Sequence, residues 1–317
     1  MSKYILKRLL MIIPVLLGVT FIIFTVMNFT PGDPAVMILG EGATQAEYDA
    51  LRAQMGLNDP FLVRYFRYVW SALQGDFGTS YRTGIPVFQE IAVRMPYTVN
   101  LAVISTIIAV TFGLPIGVFS AVKQYSLSDN VALGTALLLT SMPAFWFAMM
   151  LILYFSLKLH WLPSLGVTSW KHYILPAVAT SANTLASLMR MTRSTMLEVI
   201  RQDYIRTARA KGAKENRVIF GHALRNALLP VVTIIGVNFG ISLGGTIVVE
   251  QVFAIPGLGQ LMINSVRTKD TPMVIASILF AAIIASLINL LVDILYVYID
   301  PRLKAKYASV KKGSAKA

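Results

Sequence analysis

The chain has 317 residues, of which 56% are hydrophobic and 14% charged, and a mean hydropathy of +0.66; a soluble domain carries roughly 25% charge, so a soluble globular fold is excluded and a membrane protein is expected. The formal charge of +13 could suggest a nucleic-acid partner, but the bases follow the apolar segments in a way that reads as membrane topology, so no nucleic acid is expected. There is no cysteine, hence no disulfide and no thiolate metal site, and no GxxxxGK[ST] loop to hold a nucleotide.

Lys3, Lys7 and Arg8 precede an apolar run from Leu9 to Phe29, long enough for a bilayer at about 20 residues per helix. A signal peptide would have a shorter apolar core and a small-residue cleavage site, whereas here Pro31-Gly32-Asp33-Pro34 follows, so residues 1–29 read as an uncleaved first span with its N-terminus inside. Residues 30–96 form the largest outer segment. Thr44 and Glu47 have capping-box spacing before a short helix with Tyr48, Leu51 and Met55 on one side, stopped at Gly56. Asn58-Asp59-Pro60 opens another, in which Leu62, Tyr65, Phe66, Val69, Trp70 and Leu73 oppose Arg64 and Arg67. That pattern fits an amphipathic helix at the membrane surface, either as a lid packed on the membrane domain or as a contact for an outside protein.

Residues 97–299 carry the remaining spans. The second (Tyr97 to Val122) and third (Val131 to Leu157) are joined by an inner loop, and Pro115 and Pro143 should kink them. Trp161, Trp170 and Tyr173 form an aromatic belt in the next outer loop, where His160 and His172 each lack a second ligand at metal spacing. In the fourth span, Tyr173 to Met189, Thr180, Ser181, Asn183, Thr184 and Ser187 crowd the middle. Such a helix should face other helices or a watery path. The fifth span, Leu228 to Val249, contains Asn238, Ser242 and the glycines 236, 240, 244 and 245, a small-residue face for close helix contact. Asn183, Thr184, Asn238 and Ser242 are the candidates for a translocation path. An outer loop from Glu250 to Pro272 leads to the sixth span, Met273 to Ile299, and a basic tail at 300–317. Asp293 reads as the single acid within a span, with a structural pairing favoured over proton coupling. With these spans 19 of the 28 Lys and Arg residues lie inside, and both termini are cytoplasmic.

The inner loop at 190–228 is the most distinctive stretch. From Arg201 to Pro230 it has seven Lys or Arg residues and no membrane-length apolar run. Asp203 can cap a short helix ending in Arg209 and Lys211, Gly212 closes it in the left-handed conformation, and a second helix starts near Lys214 to Asn216. Ala208 and Ala210 keep the first helix slim enough to enter a partner's groove. No internal repeat, no HExxH, no GxSxG and no intramembrane carboxylate cluster is present, so no enzyme is expected.

RTARAKG at 206–212 followed by HALRNALLPVVT at 222–233 resembles the cytoplasmic loop of inner-membrane permease subunits of bacterial ABC importers, in the peptide and nickel branch. PGDP at 31–34, LQGDFGTS at 73–80, PGLGQL at 256–261 and Asp300-Pro301-Arg302 extend the likeness over nearly the whole chain. The resemblance implies an all-α membrane protein of six transmembrane helices, with short extracytoplasmic helices and a cytoplasmic coupling helix that docks on an ATPase. It also implies that Asp203, Tyr204, Arg206, Thr207, Ala208, Arg209, Ala210, Lys211 and Gly212 carry the coupling. Arg206-Thr207-Ala208 stands where many importers have Glu-Ala-Ala. The implied partners are a second, homologous permease, two ATPase subunits, an extracytoplasmic substrate-binding protein and membrane lipid, with no cofactor in this chain. The implied cargo is di- or oligopeptide, with glutathione or nickel as alternatives within the branch. A stand-alone channel or secondary transporter is the competing class.

Overall fold

The structure, a computed structural model, describes residues 2–30 and 32–299. Its helices in order are α1 (Ser2–Phe29), α2 (Pro34–Leu39), α3 (Gln45–Gln54), α4 (Phe61–Leu73), α5 (Val87–Val122), α6 (Leu127–Ser141), α7 (Ala144–Leu151), α8 (Ile174–Ile200), α9 (Asp203–Ala210), α10 (Leu224–Val252), α11 (Leu258–Arg267) and α12 (Thr271–Ile299). A π-helical turn at Ile152–Lys158 prolongs α7, and another at Arg217–Ala223 leads into α10. Among the described residues β-structure amounts to one bridge, Thr79 to Pro86.

Four stretches are long and apolar enough to cross a membrane: Ile5–Phe29, Val87–Val122, Arg217–Leu243 and Thr271–Val292, with a fifth if α6 and α7 count as one bent span. Thus four or five of the six expected spans meet that test. The expected fourth falls outside it because α8 mixes its mid-helix hydroxyls and Asn183 with Arg190 and Arg193. The third is not a single kinked helix: α6 and α7 meet at 104°. Pro143 lacks an N–H and caps α7, so the chain breaks there rather than bending. The second begins at Val87, ten residues before the expected Tyr97, since Val87 and Ile91 are fully buried and Pro96 is absorbed within the helix.

The core is built on α8. Along α5, Ala102, Ser105, Ala109, Gly113 and Gly117 recur at helical spacing and are buried. A Cβ on Gly113 would sit 2.9 Å from the Leu185 carbonyl oxygen, and one on Gly117 would sit 2.7 Å from that of Met189. The two backbones therefore touch. The expected small face of α10 is also present: Gly236 abuts Val292 of α12, and Gly240 faces Ala285. The side chains of Asp293 and the position of Gly244 on that face lie outside the described residues, as do Pro31, Asp300-Pro301-Arg302 and the rest of the basic tail.

With 36 residues, α5 is about 54 Å long at 1.5 Å per residue and defines two ends of the bundle. At its start Val87 and Ile91 pack on Leu258 and Leu261 of α11 and Met273 of α12. At its finish Val118 and Ala121 pack on Met196 and on Ile205 of α9. The short helices α2 to α4 gather at the first end. The Thr44–Glu47 capping box forms as expected, with Thr44 N–H donating to Glu47 Oε2 at 2.7 Å. Asp33 caps α2 and accepts from Arg52 Nε of α3 at 2.7 Å. The amphipathic α4 turns Tyr65 onto Phe21 and Phe24 of α1, its hydroxyl donating to the Leu17 carbonyl at 2.9 Å, while Leu62, Phe66, Trp70 and Leu73 face outward.

Candidate coupling and translocation sites

The opposite end carries α9. Its N-cap is Gln202, in extended conformation, so Asp203 occupies the first helical position instead of capping, and its side chain is exposed. There it still places a negative charge at the positive end of the helix dipole. Thr207 Oγ1 donates to the Asp203 carbonyl at 3.0 Å, and Arg206 pairs loosely with Asp203 at 3.8 Å. Gly212 has φ +79°, the left-handed closure that its position required, and a Cβ there would meet nothing within 4 Å.

One side chain anchors this helix. Ile205 is fully buried in a socket formed by Val118 and Ala121 of α5, Met196 of α8, and Val218, Ile219 and Ala223 of the π-helical turn. Ala208 packs against the same cluster, so it serves the interior, while Ala210 is exposed. Tyr204, Arg206, Thr207, Arg209 and Lys211 are exposed as well. Arg209 is nonetheless engaged: it forks onto Glu215, with Nη2 to Oε1 at 2.6 Å and Nε to Oε2 at 3.1 Å. That guanidinium holds the Glu215 carboxyl below its ordinary range. Glu215 had no role in the sequence reading, since six residues separate it from Arg209 and only the Gly212 turn brings them together.

A second pairing lies just above the socket. Asp129, fully buried, accepts from Arg193 Nε at 2.7 Å and Nη2 at 2.8 Å, from the Ser120 hydroxyl and from the Tyr125 N–H at 2.9 Å. This clamp ties the α5–α6 turn to α8. Asp129 falls in the inner loop expected between the second and third spans, and nothing local marks its partner 64 residues away.

The four path candidates divide. On α8, Asn183 is exposed and Thr184 half-buried. On α10, Ser242 is buried and its hydroxyl donates to the Asn238 carbonyl at 2.8 Å, and Asn238 Nδ2 is buried without a partner among the described residues. An unpaired buried amide is costly. None of the four lines the 610 Å³ cavity, which lies at the α2–α4 end.

That end explains the remaining motifs. Glu250, fully buried at the close of α10, accepts from Thr98 Oγ1 at 2.6 Å, Thr246 Oγ1 at 3.2 Å and the Gln260 N–H at 2.9 Å. Its carboxylate thereby occupies the N-terminus of α11. A Cβ on Gly257 would fall 2.5 Å from that carboxyl group, and one on Gly259 would fall 2.8 Å from Ile247 Cα. The glycines of PGLGQL exist to admit Glu250. Asp270 plays the same part for LQGDFGTS, accepting from the Ser80 hydroxyl and from Tyr81 N–H at 3.1 Å. Both acids stood in the expected outer loop, whereas Glu250 sits inside α10, beyond the Arg217–Leu243 stretch that is apolar enough to cross a membrane; the reading of Asp293 as the one acid within a span is corrected by Glu90, inside the Val87–Val122 stretch. Among the described residues no group of His, Asp and Glu is placed to hold a metal ion.

Comparison with known proteins agrees with this architecture. Residues 113–305 match the model of the binding-protein-dependent transport system inner membrane component, and residues 1–102 match that family's N-terminal membrane component. The oligopeptide transport system permease protein AppB of Bacillus subtilis (strain 168) is 44% identical over 315 residues, covering 96% of this chain and 100% of that protein. The glutathione transport system permease protein GsiC of Salmonella paratyphi A is 45% identical over 306 residues, with the same coverage. An inward-facing structure of the MetNI methionine ABC transporter superposes with a TM-score of 0.58 at 18% identity, over 67% of this chain and 97% of that one; it supports the fold. The chain thus belongs to the inner-membrane components of binding-protein-dependent transport systems, the permeases of bacterial ABC importers, within their peptide and nickel branch.

Proposed function

We propose that the chain forms one half of the translocation path of an ATP-driven importer for di- or oligopeptides, with six spans, both termini cytoplasmic and α9 as the coupling helix. It pairs with a homologous permease and two ATPase subunits, and receives cargo from an extracytoplasmic binding protein. The observation that carries this reading is the Ile205 socket. A polar, largely solvent-facing helix is attached to the bundle chiefly through the Ile205 plug, with Ala208 beside it, and that plug joins a cluster formed by α5, α8 and the approach to α10 together. A displacement of α9 by closing ATPases is therefore delivered to three membrane helices at once. The Asp129–Arg193 clamp keeps the α5–α6 turn and α8 moving as one body. Transport follows by population shift between inward- and outward-facing arrangements, with no bond made or broken in this chain.

Glutathione is the second reading, favoured by the GsiC relative at 45% identity. Asn183 and Thr184 on α8, with Asn238 and Ser242 on α10, supply the polar path once a second permease encloses it.

The chain has no cysteine, which makes the test direct. A single cysteine at Arg206 or Thr207 should crosslink to the ATPase in the assembled importer, and one at the buried Ile205 should not. Absence of crosslinking from both exposed positions removes the coupling role from α9. Uptake of labelled dipeptide, with excess oligopeptide or glutathione as competitor, decides between the cargoes.

A further inference from the structure

At the α2–α4 end a cavity of about 610 Å³ opens between α1, the short helices and the start of α12. Four cations line it, Arg52, Arg64, Arg67 and Lys269, against two acids, Asp33 and Asp76. Most of this charge is internally matched: Arg52 holds Asp33, Arg67 holds Asp59 at 2.6 Å, and Asp76 Oδ1 accepts from the Gly78 N–H at 2.9 Å. Arg64 and Lys269 are different. Among the described residues Arg64 donates to neutral oxygens alone, Asn28 Oδ1 at 2.7 Å and the Leu57 carbonyl at 3.2 Å, and the Lys269 ammonium has no hydrogen bond or ion pair, the residue being tied only through its backbone to Val266 and Thr271. Lys269 is held over Gly32, where a Cβ would lie 2.6 Å from its Nζ, so its position depends on that glycine. Tyr68 Oη is buried on the same wall without a partner among the described residues. Burial, then the Asp270 carboxylate, pushes the nearby Tyr81 phenol up to about 12, which keeps it a proton donor. Two cations without an acid, Arg64 and Lys269, thus stand on one wall with two tyrosine hydroxyls able to donate.

The rest of the wall is apolar, including Phe24 and Met27 of α1, Met37 and Met55. The apolar span of α1 ends at Phe29, beside the lining residues Asn28 and Thr30, so the cavity sits at the membrane–water boundary. No residue of α5, α8 or α10 reaches it, which separates it from the polar positions of the path. We propose that this cavity binds the phosphate of a phospholipid headgroup through Arg64, Lys269 and the tyrosine hydroxyls, with the glycerol and upper acyl segments against the α1 face. Cationic donors beside a lipid-exposed helix suit an oxyanion that arrives on an amphiphile.

The test uses the assembled importer, reconstituted in phosphatidylglycerol-containing nanodiscs and returned to detergent, with retained lipid counted by native mass spectrometry. The wild type and the control Arg82→Gln should keep phosphatidylglycerol. Lys269→Gln, which breaks no internal bond, should weaken retention about tenfold, and Arg64→Gln should act in the same direction, by the strength of one charged hydrogen bond each. The KM for peptide uptake should not move. Equal retention by Lys269→Gln and wild type, or none by wild type, overturns the proposal. So does saturation of the site by inorganic phosphate alone, which assigns it to free phosphate. A raised KM with unchanged lipid retention overturns it in favour of a substrate subsite.

Discussion

Substitution of Gly212 isolates the turn that closes α9, the helix proposed to couple to the ATPase, from everything else in the protein. Its φ of +79° is a conformation that L side chains rarely adopt, yet a Cβ there meets no atom within 4 Å. Gly212→Val therefore adds no clash, and its whole effect is backbone strain of about 1–2 kcal/mol, at the upper end for a β-branched residue. That amount does not unfold a bundle whose seams lie on α8. It is a factor of roughly 5–30 in a local equilibrium, enough to unmake the turn that sets α9 and presents Glu215 to Arg209. At matched membrane levels Gly212→Val should stay in the membrane and paired with the second permease while uptake and the copurified ATPase fall. Gly212→Asn, which tolerates the left-handed region, should cost a few tenths of a kcal/mol and transport nearly normally. Normal uptake in the valine variant, or equal damage from valine and asparagine, would refute the argument from conformation.

Three other outcomes follow from the packing. Gly117→Ala drives a methyl to 2.7 Å from the Met189 carbonyl and from Thr192 Cβ, so α5 and α8 must part, at about 1–3 kcal/mol; Gly134→Ala, with open space around it, should leave the melting temperature in detergent unchanged or raised. Asp129→Ala strands the partly buried Arg193 and should cost about 3–5 kcal/mol, while the double variant Asp129→Ala, Arg193→Leu should recover much of it, as thermal unfolding of each will register. Arg52, chiefly through its hydrogen bond, holds the Asp33 carboxyl below its ordinary value, so the pairing of α2 with α3 contributes stability above the unfolded carboxylate range near ~4 and loses it as pH falls through the lowered folded value. Limited proteolysis of residues 34–54 should accelerate only on strong acidification, and Asp33→Asn should abolish that pH dependence.

What could be read without coordinates were the features whose cause is local. The capping box at Thr44, the stop at Gly56, the left-handed Gly212 and the small face at Gly236 each depend on a few neighbouring residues, and each is present. The break at Pro143 was visible as a perturbation, but its size was not, since 104° depends on what α7 packs against. Asp203 was assigned the cap because acids favour that position, yet Gln202 holds it through backbone geometry alone. The slimness of Ala208 was attributed to a partner, whereas the residue fills the chain's own socket.

The acids were the larger gap, and they share a reason. Asp129, Glu250 and Asp270 stand near the ends of helices, in stretches that read as loops in the sequence, but each is buried with a partner from a distant part of the chain. Glu250 receives Thr98 from 152 positions away, and Asp270 receives Ser80 from 190. For Glu250 the burial is nonetheless encoded in the glycines. PGLGQL cannot carry side chains at 257 and 259 because Glu250 and Ile247 already occupy that space, and a helix N-terminus closed by a distant carboxylate must leave room for it. A glycine-rich stretch beside an unassigned acid, in a chain this apolar, is then a sign of a buried carboxylate rather than of a flexible loop. The two carboxylates at the α2–α4 end fasten the starts of α5, α11 and α12, and Asp129 fastens α5 to α8 at the other. Pinned at both ends, α5 moves as a body, which is the mechanical condition that the coupling role proposed for α9 requires.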